Sequence, residues 1–114
     1  MTHKMRLKPT PYSMISRGIK TFELRLYDEK RRQLKVGDVI EFTNEEGVDR
    51  LLCEVTGLHV FGSFDELYST LPLLKCGYTK ENVSDASPED MCAYYPLEEQ
   101  KKYGVVGIEI ILKN

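Results

Sequence analysis

The segment from Gly18 to Arg25 contains the charged side chains that are best placed to do chemistry. It follows the pattern Gly-x-Lys-x-x-Glu-x-Arg and includes Lys20, Glu23 and Arg25. Glu23 and Arg25 are two residues apart, so on a strand both project from the same face. A carboxylate beside a guanidinium can pair with it and fix the arginine fork for a planar or anionic partner. Lys20 can offer a point charge to phosphate or, if desolvated, lose its proton and act as a base or nucleophile.

The same residues also have an interpretation without any function. A solvated strand face that carries a surface ion pair would contribute roughly 0–1 kcal/mol to stability and bind no ligand. On pattern alone this interpretation is favoured. In both cases Lys20 is expected at an exposed junction outside the core, so that Lys20→Ala should leave the fold intact.

Periodicity predicts the elements that position this segment. Residues 12–15 are predicted as a short helix after a turn bounded by Pro9 and Pro11, and Gly18 fits the position that ends it. Residues 22–27 alternate apolar and polar side chains, which indicates a strand with one apolar and one polar face. Residues 5–7 are predicted to lead into a helix or to form an edge strand.

The rest of the chain has the pattern of an α+β fold. Strands are predicted at residues 39–42, at 51–55 with a continuation past Gly57 to residue 61 through a bulge, and at 103–112, the last apolar enough to be central in its sheet. Ser63 and Ser87 each begin a helix, with acidic residues in the first turn. The prediction is one domain over residues 1–114, a mostly antiparallel β-barrel with a short N-terminal helix and two further helices.

Composition excludes several classes of protein. With 41% hydrophobic and 30% charged residues in 114, the chain has the composition of a globular protein and not of a disordered one. Three widely spaced cysteines and two distant histidines give neither a disulfide framework nor a zinc site, so we expect no metal and no cofactor. No apolar run is long enough to span a membrane and no signal peptide is recognisable, so a cytoplasmic location is expected.

Charge is distributed unevenly along the chain. Residues 1–35 contain ten Lys or Arg against three acids, a charge of +7, and residues 36–114 contain six against fifteen, a charge of −9. Such a split can create a basic face for a polyanion. The favoured expectation is that the two parts interleave in a small barrel and leave no basic patch. The sequence pI of about 5.7 argues against strong non-specific binding of duplex nucleic acid.

Four segments in order resemble the ASCH domain family. Besides the Gly18–Arg25 pattern, they are Leu34–Ile40, which resembles the family's turn into its next strand, Phe61–Leu67, which resembles its mid-chain helix, and Tyr103–Ile108, which resembles its closing strand. The resemblance covers nearly the whole chain. It implies a fold related to RNA-binding PUA domains, with a cleft beside the signature strand. It also implies RNA or a nucleotide-like small molecule as the partner, and no membrane.

The resemblance leaves open whether the domain binds or catalyses. A bacterial branch of the family hydrolyses acetylated cytidine, with a Lys, a Thr three residues later and a distant Glu, and nuclease activity has been described within the family. Lys20 matches the Lys, but Glu23 occupies the Thr position. Glu81 and Asp85 are both candidates for the distant acid.

We therefore expect a binding module in which Lys20, Glu23 and Arg25 contact the ligand. The alternative is a small hydrolase of a modified nucleoside, or a nuclease, with Lys20 and Glu23 as the catalytic residues. A third possibility is a regulatory module whose cleft takes a nucleoside or a peptide. Five tyrosines are available to stack on a base: Tyr12, Tyr78, Tyr94, Tyr95 and Tyr103. The oligomeric state is not predicted.

Overall fold

The computed structural model describes residues 1–113 and contains, within them, five strands and three α-helices. The strands are β1 (Thr2–Arg6), β2 (Phe22–Leu26), β3 (Val39–Thr43), β4 (Arg50–Phe61) and β5 (Val105–Leu112). The α-helices are α1 (Pro9–Ser16), α2 (Phe64–Thr70) and α3 (Leu97–Tyr103). Short 3₁₀ helices lie at Arg31–Gln33, Leu73–Lys75, Val83–Asp85 and Pro88–Ala93.

The strands form one sheet in the order β1-β3-β4-β5-β2, curved into a half-barrel. Strands β1 and β3 are parallel, with Thr2 opposite Val39, and the other three pairings are antiparallel. The register of β4 against β5 shifts between Val55 and Gly57, where a bulge was expected. The predicted α+β fold is therefore confirmed, with a mixed sheet whose edge strands are β1 and β2.

Two clusters of buried side chains hold the sheet from opposite sides. The first packs α1 into the half-barrel through Ile15, together with Ile40, Phe42 and Val106. The second packs α2 against the apolar face of β2 and includes Val105. Adjacent residues of β5 thus enter different clusters, so this strand is buried on both faces, as its apolar sequence predicts.

Gly107 allows α2 to lie close to β5. A Cβ atom at this position would collide with Leu71 Cδ1, at the end of α2. Because Leu71 is itself buried, it has little room to move away. The close approach keeps α2, and the loop that follows it, near β2.

The N-terminal strand is fixed to the turn before β3. His3 Nε2 lies 2.8 Å from Asp38 Oδ2, and the Lys35 N–H donates to the same carboxylate oxygen. The hydrogen bond with His3, helped by the Lys35 N–H, outweighs the opposing effect of burial and lowers the pKa of Asp38. This contact holds β1 in place, and the end of β1 lines part of the cleft described below.

The helices differ from the prediction in three places. Helix α1 begins at Pro9, earlier than predicted, and the helix predicted after Ser87 is a 3₁₀ helix with a complete capping box at Ser87 and Asp90. Helix α3 was not predicted, and the closing strand begins at Val105 instead of Tyr103. Met5 and Arg6 end edge strand β1, one of the two predicted alternatives, and Leu7 follows it. None of the helices within residues 1–113 has both the length and the apolar character needed to cross a membrane.

Candidate functional site

A cleft of about 470 Å³ opens where edge strands β1 and β2 face each other. One wall consists of the end of β1, the start of α1 and the signature strand β2. A second wall consists of Tyr68 of α2, residues 76–78 with Asn82, and residues between 90 and 95 at the end of the last 3₁₀ helix and just after it. The volume is within the range of about 300–1,000 Å³ that is typical of small-ligand sites.

Three charged side chains, Lys20, Glu23 and Arg25, form a buried cluster on the β2 wall. Lys20 Nζ lies 2.8 Å from Glu23 Oε1, and Arg25 Nε lies 2.7 Å from Glu23 Oε2. The side chains of Lys20, Glu23 and Arg25 are 10%, 6% and 14% exposed. Two cations thus share one carboxylate, which leaves the cluster with a net charge of +1.

Electrostatics favours the ionised forms of Glu23 and Arg25. Burial by itself would raise the pKa of Glu23, but the charges of Lys20 and Arg25 and their hydrogen bonds outweigh it and lower the pKa. Burial would also lower the pKa of Arg25, and the Glu23 carboxylate more than compensates. The interpretation as a solvated surface ion pair is therefore wrong, and so is the expectation of an exposed Lys20.

Lys20 is buried between the end of α1 and the loop that contains Gly77. Gly18 ends α1 with a φ of 74°, and the Lys20 N–H then donates to Met14 O, which turns the chain back toward the sheet. On the other side is Gly77, with a φ of 114°. A Cβ atom at residue 77 would lie 3.7 Å from Lys20 Cδ, an ordinary contact distance, so Gly77 borders the lysine side chain.

Arg25 also connects the two edge strands. Its Nη2 donates to the Arg6 carbonyl of β1 over 2.9 Å, and nearby the Lys30 ammonium donates to the Lys4 carbonyl over 2.7 Å. We call this line of side-chain to backbone hydrogen bonds the seam. Because β1 and β2 do not pair with each other, the seam replaces a β-ladder at the opening of the half-barrel.

The second wall contains a chain of hydrogen bonds that ends at Asp90. The Tyr78 hydroxyl donates to Asp90 Oδ2 over 2.7 Å, and the Tyr68 and Tyr78 hydroxyls are 2.7 Å apart. Tyr78 has one hydroxyl proton, and the carboxylate accepts it, so Tyr68 must be the donor to Tyr78. The bond from Tyr78 lowers the pKa of Asp90, whereas burial and these hydrogen bonds raise the pKa of Tyr78.

Two adjacent tyrosines, Tyr94 and Tyr95, form the rim of the cleft. Tyr94 is 59% exposed, and its ring centroid lies 6.4 Å from that of Tyr95. Tyr95 is partly buried and stacks on Phe64 of α2, with ring centroids 6.3 Å apart and planes inclined by 17°. The exposed ring of Tyr94 therefore rests on Tyr95, and Tyr95 in turn rests on Phe64. Of the five tyrosines considered for stacking, Tyr78, Tyr94 and Tyr95 line the cleft, and Tyr12 and Tyr103 do not.

The charges that line the cleft are mainly positive. Its cations are Arg6, Lys8, Lys20 and Arg25, and its anions are Glu23 and Asp90, which gives a formal charge of +2. All four cations come from residues 1–35, so the cleft gathers four of the ten basic residues of that basic segment. The folding of the chain concentrates part of the charge asymmetry at this site.

A model of the ASCH domain matches residues 5–113. The chain belongs to the ASCH domain family. Two solved structures are similar to this ASCH domain over almost their whole length. The crystal structure of the hypothetical protein PH0355 has a TM-score of 0.82 and 36% identity, and the match covers 99% of this chain and 100% of that one. The solution NMR structure of PF0455 from Pyrococcus furiosus has a TM-score of 0.74 and 36% identity, with 98% and 97% covered. Among curated proteins, none matches this chain.

The distant acids considered for this ASCH domain do not reach the cleft. Glu81 and Asp85 are exposed and do not line it, whereas Asp90 does. Asp90 could have been considered from the sequence, since it follows the same long connection. Its place in the capping-box pattern after Ser87 gave it a structural explanation instead. Within residues 1–113, no three His, Cys, Asp or Glu side chains are grouped so that they could hold a metal ion.

Burial changes the expected effect of Lys20→Ala. The substitution removes one of two partners of a buried carboxylate and leaves a void beside Gly77, so we expect a loss of roughly 1–3 kcal/mol of unfolding free energy. Urea denaturation measures this loss. Lys80→Ala, which removes an exposed lysine, is the control and should change stability by less than about 0.5 kcal/mol. Equal stability of the Lys20 and Lys80 variants would contradict the burial of Lys20.

Proposed function

We propose that this ASCH domain binds a nucleotide unit in its cleft, either free or as part of single-stranded RNA. The observation that carries the proposal is the net positive charge of the buried Lys20–Glu23–Arg25 cluster. Burying charges is costly unless each is paired, and here one cation exceeds the number of carboxylates. An anionic ligand such as a phosphate would neutralise the excess positive charge of the cluster.

Unused hydrogen-bond donors in the cluster support this proposal. Within residues 1–113, Lys20 Nζ has Glu23 as its polar partner, and an ammonium group has three donors. The Arg25 guanidinium uses Nε for Glu23 and Nη2 for Arg6, which leaves Nη1 free of protein acceptors in the same range. Donors held in fixed positions by a buried carboxylate are suited to phosphate oxygens or to the acceptors of a base.

The exposed ring of Tyr94 supports a nucleotide over a simple anion. Aromatic side chains stack on unpaired bases, and each such contact contributes about 1–3 kcal/mol to binding. Tyr94 is held by Tyr95, which in turn stacks on Phe64. A base on Tyr94 and a phosphate near the cations of β1 and β2 would together occupy the cleft.

Catalysis by Lys20 and Glu23 has less support. Both oxygens of Glu23 already accept from a cation, and the lowered pKa keeps this carboxylate ionised. A group in that state is a poor general acid, and a carboxylate that is already engaged is a weak general base. The hydroxyl that the hydrolytic branch places at this position is also absent. Release of acetate from acetylcytidine would nevertheless establish hydrolysis.

The test is an NMR titration of the protein with cytidine, acetylcytidine, the four nucleoside monophosphates and a short single-stranded RNA. We expect shifts at Lys20, Glu23 and Arg25. Tyr94→Leu should weaken binding roughly 5- to 150-fold, the loss of one stacking contact. Tyr103→Leu, which changes a tyrosine outside the cleft, should leave the affinity unchanged. If no compound in the panel shifts these resonances, the proposed function is wrong.

A further inference from the structure

We infer that Asp90 selects among bases, favouring those that present an exocyclic amino group over uracil. This inference rests on the proposed binding of a nucleotide in the same cleft. It goes beyond that proposal because it assigns base preference to a residue outside the signature strand. The argument starts from the two oxygens of the Asp90 carboxylate, which have different surroundings.

One carboxylate oxygen of Asp90 is fully engaged within the protein. Oδ2 accepts from the Tyr78 hydroxyl over 2.7 Å and from the Ser87 N–H over 3.2 Å. These two donors fix the rotation of the carboxylate. Oδ1 has no hydrogen-bond partner within residues 1–113, and Asp90 lines the cleft. The protein thus holds one carboxylate oxygen without a protein partner, on a residue that lines the cleft and lies outside the cationic cluster.

The charges of the cleft also favour one orientation of a nucleotide. Arg6, Lys8, Lys20 and Arg25 lie on the wall formed by β1, α1 and β2, whereas Asp90 lies on the other wall. A phosphate is attracted to the first wall and repelled by the second. The base edge is therefore directed toward Asp90.

A fixed carboxylate acceptor discriminates between base edges. The amino groups of cytosine and adenine are donors, and a carboxylate accepting from cytosine N4 is a recurrent protein contact. Uracil has a carbonyl acceptor at the corresponding position, which would face the negative oxygen. A mismatch of this kind changes affinity by roughly 5- to 150-fold.

The structure also predicts that Asp90→Asn reverses the preference. Tyr78 and Ser87 both donate to the Oδ2 position, so the oxygen of the new amide must occupy it. The amide nitrogen then takes the place of Oδ1, and a donor replaces the acceptor. Uracil, with its carbonyl, becomes the better match.

The experiment measures the dissociation constants of cytidine and uridine monophosphates by NMR titration, for wild type, Asp90→Asn and Glu89→Gln. We expect wild type and Glu89→Gln to prefer the cytidine nucleotide at least about 5-fold. We expect Asp90→Asn to prefer the uridine nucleotide. Glu89 is the matched control because it is an adjacent exposed acid that does not line the cleft.

The outcomes separate this inference from the proposed function. If wild type binds both nucleotides equally and Tyr94→Leu weakens both, the cleft binds nucleotides but Asp90 does not select among them. If wild type binds neither of these two nucleotides, this inference fails, and the proposed function fails with it when no other compound of the panel binds. The wild-type preference is informative even if Asp90→Asn folds poorly, because it requires no variant.

Discussion

Glu23→Gln is expected to lower the free energy of unfolding by about 3–5 kcal/mol, the range for breaking a buried ion pair by removing one partner. The native carboxylate offers one oxygen to Lys20 and the other to Arg25. An amide of the same shape has only one oxygen, so its NH₂ group must face one of the two cations. The variant leaves two buried positive charges without a counter-charge. Chemical denaturation measures the loss, with Glu46→Gln as an exposed control.

The effect of Glu23→Gln depends on pH. The pKa of Glu23 is lower in the folded protein than its ordinary value of 4.5, so ionised Glu23 stabilises the fold fully above about that pH. This contribution is lost as the pH falls below 4.5 through the lower folded-state pKa. The stability difference between wild type and Glu23→Gln should therefore shrink in acid. A difference that stays constant down to the acid transition would show that the charge of Glu23 is not responsible.

A triple variant separates stability from binding. Lys20→Met, Glu23→Leu and Arg25→Met together remove every charge of the cluster and keep side chains of similar size. Replacing a whole buried ion cluster by apolar groups is often neutral or stabilising. We expect the triple variant to be more stable than Glu23→Gln and to bind no nucleotide. That combination would mean that the charges serve the ligand and not the fold.

Arg25→Met is expected to lower the free energy of unfolding by roughly 2–4 kcal/mol, because it removes a charged partner of Glu23 and opens the seam. It deletes the bonds from Nε to Glu23 and from Nη2 to the Arg6 carbonyl. Arg25→Lys restores the charge but not the fork, since one ammonium cannot reproduce the spacing of these two contacts. We therefore expect the lysine variant to recover only part of the loss.

The same variants report on binding. Arg25→Met should weaken the binding of an anionic nucleotide more at low salt than at high salt. The reason is that salt screens the charge of Arg25, so its loss matters less at high salt. Arg17→Met, which removes an exposed arginine outside the cleft, should change neither stability nor affinity. If Arg25→Met binds as tightly as wild type at every salt concentration, Arg25 is not part of the site.

The strand that carries the site could be predicted because its information is local. Alternation at residues 22–27 places Glu23 and Arg25 on one face of β2, and the structure has them there. Their burial could not be predicted, because it depends on segments far away in the sequence, at Arg6 and Gly77. The sequence pattern of a polar strand face is the same whether that face contacts water or another part of the protein.

The remaining differences also have physical causes. Helix α3 was not predicted because its sequence is mostly charged and has no apolar stripe. Its buried residue is Gln100, whose amide donates to the Tyr95 carbonyl. The role of Asp90 at the cleft depends on its contact with Tyr78, which local patterns do not contain. Capping boxes, turns and period-2 strands are encoded locally, but the partners of a buried charge are not.

The placement of the tyrosines makes the cleft optically distinct from the rest of the protein. The chain contains seven tyrosines and no tryptophan. Four of the seven, Tyr68, Tyr78, Tyr94 and Tyr95, line the cleft. Most of the tyrosine chromophores thus belong to the site, and no indole absorption or emission obscures them. Occupancy of the cleft should change the tyrosine emission and near-ultraviolet dichroism of the unlabelled protein, so the molecule carries its own reporter of ligand binding.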